Sequence, residues 1–185
     1  MPTWTSRRWK TPLTRWIISG AAVLILLSLA APEAQGQLRF GPQVSAGSDS
    51  GAGIGARATF PLRVGIGPLD GAIDASYASP SGVKSWIQTN VNARLQVPLA
   101  ADFGTVIGAG LNASFISAEV GPGPTTETDT QFGLNLLGGI SYPREGILGG
   151  RVVPFTELRG VVGGAEEVVL TIGLTFGGAP ESERD

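Results

Sequence analysis

From Gln37 onward the chain alternates between apolar and polar residues. In the stretch Val168 to Phe176, Val168, Leu170, Ile172, Leu174 and Phe176 fall on one parity, and Val169, Thr171, Gly173 and Thr175 on the other. That is the period of a strand with one apolar face. Comparable runs lie at about 38–46, 52–66, 71–79, 85–98, 104–118, 131–142, 150–162 and 167–177, separated by turn residues and with no helical periodicity. The run at 85–98 is the cleanest, with Ile87, Thr89, Val91, Ala93, Leu95 and Val97 opposed to Trp86, Gln88, Asn90, Asn92, Arg94 and Gln96. The seventh is the least regular: Pro154 removes a ladder donor, and Phe155 falls on the parity of Glu157 and Arg159. A bulge or an irregular strand is expected there.

Strands of nine to eleven residues are long enough, when tilted, to cross a bilayer. The pattern predicts an all-β fold, an eight-stranded antiparallel up-and-down transmembrane β-barrel over residues 37–177. The polar face decides which side meets lipid. A soluble barrel's exterior would be rich in Lys, Glu and Asp, whereas this face is Gly, Asn, Gln, Ser and Thr with a few charges of both signs, which suits a lumen. Parity assigns Arg39, Arg57, Asp74, Arg94, Glu157 and Arg159 to a lumenal polar cluster, either a selectivity ring or ligand-binding cluster, or a set of paired plugs. Eight strands leave room only for side chains, which favours the plug. The inward glycines Gly53, Gly55, Gly108, Gly110, Gly133 and Gly173 would leave small voids or relieve crowding. Phe40, Phe60, Tyr142 and Phe176 gather at one end of the strands and Tyr77, Phe115 and Phe132 at the other, two aromatic girdles of the kind a bilayer selects.

An N-terminus in the periplasm places the outer loops near 47–51, 79–84, 119–130 and 163–166. The longest of them contains VGPGPTTETDT. These loops collect Asp49, Glu119, Glu127, Asp129, Glu166 and Glu167 against Lys84 alone. They form a solvated rim or a site for divalent cations bridging to lipopolysaccharide phosphates.

Residues 1–36 carry the marks of a secretory signal peptide. Arg7, Arg8, Lys10 and Arg15 precede the apolar stretch Ile17 to Ala31, and Ala34 and Gly36 supply small residues before a cut. The apolar run is too short for a spanning helix. Without the leader, nine basic residues face fourteen acidic ones, a net charge of −5, which argues against a nucleic-acid partner.

The region 37–177 resembles the small eight-stranded outer-membrane barrels of the OmpA/OmpX type. The resemblance rests on strand count, alternation, girdles and the last strand, where Gly173, Leu174 and Phe176 match the glycine and apolar positions of the family's assembly signal. It implies outer-membrane localisation in a Gram-negative-type envelope, contact with outer-membrane lipid and lipopolysaccharide, insertion by the barrel-assembly machinery and a monomeric state. Nine residues, GGAPESERD, follow Phe176, where the family pattern ends at or near the aromatic residue. Residues 178–185 are read as a short polar periplasmic tail.

Histidine and cysteine are both absent from the chain. No histidine-activated serine, thiolate nucleophile or soft metal site can be assembled, so neither enzymatic activity, a metal nor a cofactor is expected. The GxGxxA match Gly108 to Ala113 lies within a strand with no helix after it and is not a dinucleotide site. The expected function is a non-enzymatic outer-membrane barrel with a structural or surface-interaction role. The alternatives are a small-solute pore or carrier and a soluble periplasmic ligand-binding barrel.

Overall fold

The computed structural model describes residues 38–62, 69–97, 102–119, 125–142 and 146–177. The leader (1–36) and the tail (178–185) lie outside the described residues. Eight strands, β1 (Arg39–Gly47), β2 (Gly51–Leu62), β3 (Leu69–Ala78), β4 (Ser85–Val97), β5 (Gly104–Glu119), β6 (Thr126–Ser141), β7 (Val152–Val162) and β8 (Glu167–Gly177), pair antiparallel with their sequence neighbours. β8 returns to β1, closing the barrel. Closure removes the two open edges that a flat eight-stranded sheet would carry. The seam is registered by Arg39↔Gly177, Phe40↔Phe176 and Val44↔Ile172.

The alternation seen in the sequence sorts side chains between wall and lumen. Ile54, Leu111, Leu134, Leu136, Ile172 and their neighbours are exposed on the outer wall, Ile54 to 67%, while Gln43, Asn90, Asn92, Asn112 and Thr171 are buried inside. The two rims differ. The terminal rim holds the ends Arg39 and Gly177 and the β2–β3, β4–β5 and β6–β7 connections; the far rim holds the other four.

Three features depart from the sequence expectations. β7 pairs without interruption from Val152↔Phe176 to Val161↔Glu167 on one side and from Ser141↔Phe155 to Leu134↔Val162 on the other, so it carries no bulge. Pro154 is tolerated because it sits at the last rung beside β6, where its carbonyl accepts a hydrogen bond from the Tyr142 amide (3.4 Å). Phe155 does point inward, and Gly173 makes room for it: a Cβ on Gly173 would lie 2.7 Å from the Phe155 ring. That glycine is filled space rather than a void.

The second departure is β6, which begins at Thr126, five residues earlier than the alternation suggested. The threonines of TTETDT are β-branched and pair with β5 as far as Glu119↔Thr126, which shortens the far-rim connection to residues 120–125. The longest connection is instead the one at the terminal rim, 142–151. Part of it is a tight turn closed by the bridge Ile147↔Val152, with Leu148, Gly149 and Gly150 at positive φ. The third departure is Glu167, which is not a solvated loop acid. It is the first residue of β8, turned inward and buried.

Candidate functional site in the lumen

Strands β2, β3, β4 and β7 aim charged side chains at one another across the interior. Arg57 of β2 donates two parallel hydrogen bonds to Glu157 of β7, Nη1 to Oε2 at 2.9 Å and Nη2 to Oε1 at 2.7 Å. Its Nη2 also reaches Asp74 Oδ2 of β3 at 3.4 Å. Arg159 of β7 closes on Asp74 Oδ1 at 3.1 Å. Arg94 of β4 lies 3.9 Å from Glu157 Oε2 and 4.0 Å from Asp70 Oδ2. The result is an alternating chain, Arg159–Asp74–Arg57–Glu157–Arg94–Asp70, three cations and three anions with no surplus charge. The guanidinium of Arg57 also lies over the Phe155 ring, 4.5 Å from its centre, a cation–π contact in a desolvated setting.

An asparagine network extends this ladder around the wall. Asn90 Nδ2 donates to Asp74 Oδ1 (2.9 Å), Asn112 Nδ2 to Asn90 Oδ1 (2.8 Å), and Asn135 Nδ2 to Asn90 Oδ1 and Asn92 Oδ1 (3.0 and 2.9 Å). Ser114 Oγ donates to Asn112 Oδ1. Polar side chains from six successive strands, β2 to β7, are thus joined inside one closed wall. Arg57, Asp74, Asn90, Asn112, Asn135, Glu157 and Arg159 are each no more than 2% exposed. Charges buried to this degree are tolerable because each is paired and hydrogen-bonded.

Of the six residues that parity assigned to the lumen, five belong to the ladder. Arg39 stands nearer the terminal rim, where its Nη1 donates to the Gly150 carbonyl at 2.8 Å and ties β1 to the β6–β7 connection. The far rim has a centre of its own around Glu167. Ser50 donates to Glu167 Oε2 through its hydroxyl (2.8 Å) and its amide (3.3 Å), and Gln88 Nε2 donates to Oε1. This fastens the β1–β2 turn to β8 and β4. Beside it, Trp86 packs with Ala78 and Ala165, with Ile116 against them. The inward parity of Glu167 follows from Val169 and Thr171 and was available in the sequence.

The aromatic residues stand on the outer wall. At the terminal rim Phe40, Tyr142 and Phe176 are exposed, Phe60 lies across Gly71, and Phe103, not anticipated as a girdle member, meets Tyr142 with ring centres 4.9 Å apart. Toward the far rim Tyr77 and Phe132 are exposed and Phe115 is half-buried.

Among the described residues no group of three or more acidic side chains is arranged to hold a metal ion. The lumenal carboxylates Asp74 and Glu157 face arginines, and Glu167 faces neutral donors.

No protein-family model matches the chain, and no curated protein matches it. Solved structures do. The N-terminal β-barrel domain of Pseudomonas aeruginosa OprF superposes with a TM-score of 0.57 at 12% identity, covering 78% of this chain and 98% of that one. Neisserial surface protein A gives 0.52 at 20% identity, covering 76% and 95%. Ail, the attachment invasion locus protein of Yersinia pestis, solved in complex with the heparin analogue sucrose octasulfate, gives 0.54 at 12% identity, covering 76% and 94%. At these identities the likeness speaks for architecture. The chain has the fold of the small eight-stranded outer-membrane β-barrels.

Proposed function

We propose that this protein is a non-enzymatic outer-membrane barrel whose lumen is occluded and whose function lies at its surface, in structural support or in contacts made by the far rim. The observation that carries this reading is the ladder Arg159–Asp74–Arg57–Glu157–Arg94–Asp70, whose central members are almost wholly buried within a closed barrel. A side-chain plug spanning β2 to β7 suits an eight-stranded barrel, whose interior is just wide enough for side chains to fill. The apolar outer wall, with aromatic residues toward both rims, supports a bilayer setting. An even strand count returns both barrel ends to one side, which the proposal takes as the periplasm. The far rim then faces outward with Asp49, Glu119, Glu127, Asp129 and Glu166 exposed. The partners of such a barrel are outer-membrane lipid, lipopolysaccharide and, during insertion, the barrel-assembly machinery. The signal peptide and the monomeric state belong to the same proposal.

The test is reconstitution into planar bilayers. Protein whose unheated gel mobility differs from that of the heated sample, the mark of a folded barrel, is expected to give no steady conductance. Stable, reproducible channels from such protein would overturn the plugged reading.

A further inference from the structure

β6 is paired with β5 along its whole length, Thr126 to Ser141, but with β7 only from Leu134 onward. The β7–β8 connection covers the next residues. A Cβ on Gly133 would lie 2.6 Å from the Gly163 carbonyl oxygen, and one on Gly164 equally near that of Phe132. From Thr126 to Thr130, among the described residues, one side of β6 has no neighbouring strand and all five residues are exposed, whereas Gln131 is half-buried, with its Cβ 3.1 Å from where a Cβ on Gly164 would lie.

The phase of this edge is fixed by the pairing further along. Tyr142 donates its amide to Pro154 of β7, so the even-numbered residues of β6 turn their N–H and C=O groups toward the β7 side. Thr126, Thr128 and Thr130 therefore present donors and acceptors along the edge that have no partner strand among the described residues. Their side chains share one face, where Thr128 Oγ1 meets Ser117 Oγ at 2.8 Å. Glu127, Asp129 and Gln131 share the other, with Gln131 Nε2 donating to Asp129 Oδ2 at 2.7 Å.

Exposed edges are ordinarily blunted by lysine, proline, a bulge or a cover. None of the first three occurs in Thr126 to Thr130. The edge is guarded only by carboxylates, and those discriminate by sign. Antiparallel pairing of two copies about Thr128 would set Glu127 directly opposite Asp129, and like charges facing across strands are destabilising. A strand with basic residues at those positions would gain both the ladder hydrogen bonds and opposite-charge pairs. Glu119, opposite Thr126 on β5, adds to the negative field.

We infer that the free edge Thr126–Thr130 of β6 docks an extended segment of another protein carrying lysine or arginine at alternate positions, which joins the barrel sheet as an added strand. The inference deepens the surface-interaction reading and commits it to a position and a partner chemistry.

The test uses the full-length barrel folded in detergent and a synthetic peptide of alternating threonine and lysine. Its controls are the same sequence N-methylated on alternate residues to remove edge donors, and a version with glutamate in place of lysine. Binding is read by fluorescence polarisation at fixed ionic strength. The lysine peptide is expected to bind at least tenfold more tightly than either control. Thr128→Pro removes a donor on the open side only, so it should weaken binding about tenfold while leaving heat-modifiable mobility intact. The pair Glu127→Lys and Asp129→Lys should reverse the preference toward the glutamate peptide. Equal binding of the N-methylated peptide, indifference to Thr128→Pro, or no binding by folded protein would overturn the inference. So would efficient disulfide crosslinking between copies carrying Thr128→Cys, which would make the edge a self-association surface. The conductance test is independent: an occluded barrel without peptide binding would leave the plugged reading standing and remove only this docking site.

Discussion

Glu157 holds two arginines: Arg57 through two short hydrogen bonds and Arg94 at 3.9 Å. Glu157→Gln keeps the shape and removes the charge, leaving Arg57 and Arg94 to share Asp74 and Asp70. Breaking a buried pair from one side costs about 3 to 5 kcal/mol, and the urea unfolding midpoint in detergent or vesicles should fall accordingly. Trp86, the one tryptophan between residues 37 and 185 and buried beside the far rim, serves as the reporter. Replacing both partners, Arg57→Met with Glu157→Leu, should regain most of the loss because no orphan charge remains. A double variant as weak as the single one would mean the ladder stabilises beyond mutual neutralisation. Thr171 makes the opposite case. It is 0% exposed and its hydroxyl has no partner among the described residues, so Thr171→Val should be neutral or slightly stabilising. A loss above about 1 kcal/mol would point to an unseen partner for that hydroxyl.

Parity alone could give the direction of these side chains, and it placed Arg57, Asp74, Arg94, Glu157 and Arg159 on the inward face. It could not say which of them meet, because contacts across a lumen depend on the stagger of the closed barrel. Arg57 and Glu157 are 100 positions apart. Composition misled where it was used in place of parity: Glu167 reads as one more rim acid by type, yet its spacing from Val169 and Thr171 already turns it inward.

At the scale of the element, β8 offers a direct test of what its outer face meets. Leu170 is exposed on the outer wall opposite Ala46 and Leu158. If that wall meets lipid near the bilayer midplane, Leu170→Arg should cost about 2 to 4 kcal/mol of folding free energy in vesicles, while Leu170→Ala costs markedly less. In detergent-free buffer the same arginine would improve solubility if the barrel were a soluble one, so the sign separates the two settings. All eight strands were legible in the sequence because the period of two survives glycines and small residues. Their ends were less so. The start of β6 hid in threonines that look like loop by composition, and the regularity of β7 depends on Gly173 vacating space for Phe155, a contact between strands.

At the scale of the whole molecule, the β1–β8 seam means that the chain's ends meet: Arg39 pairs with Gly177, and Phe40 with Phe176. A ring of strands has no first member, so which strand comes last is a property of synthesis rather than of the folded object. A circular permutant in which a short linker joins residue 177 to residue 38, opened within the 79–84 connection, should refold in detergent to the same heat-modifiable barrel. Inside the cell its final strand would be β3, which lacks the glycine, apolar and aromatic spacing of Gly173, Leu174 and Phe176. Normal refolding with failed insertion would show that the last strand serves as a signal for delivery, separate from its place in the wall.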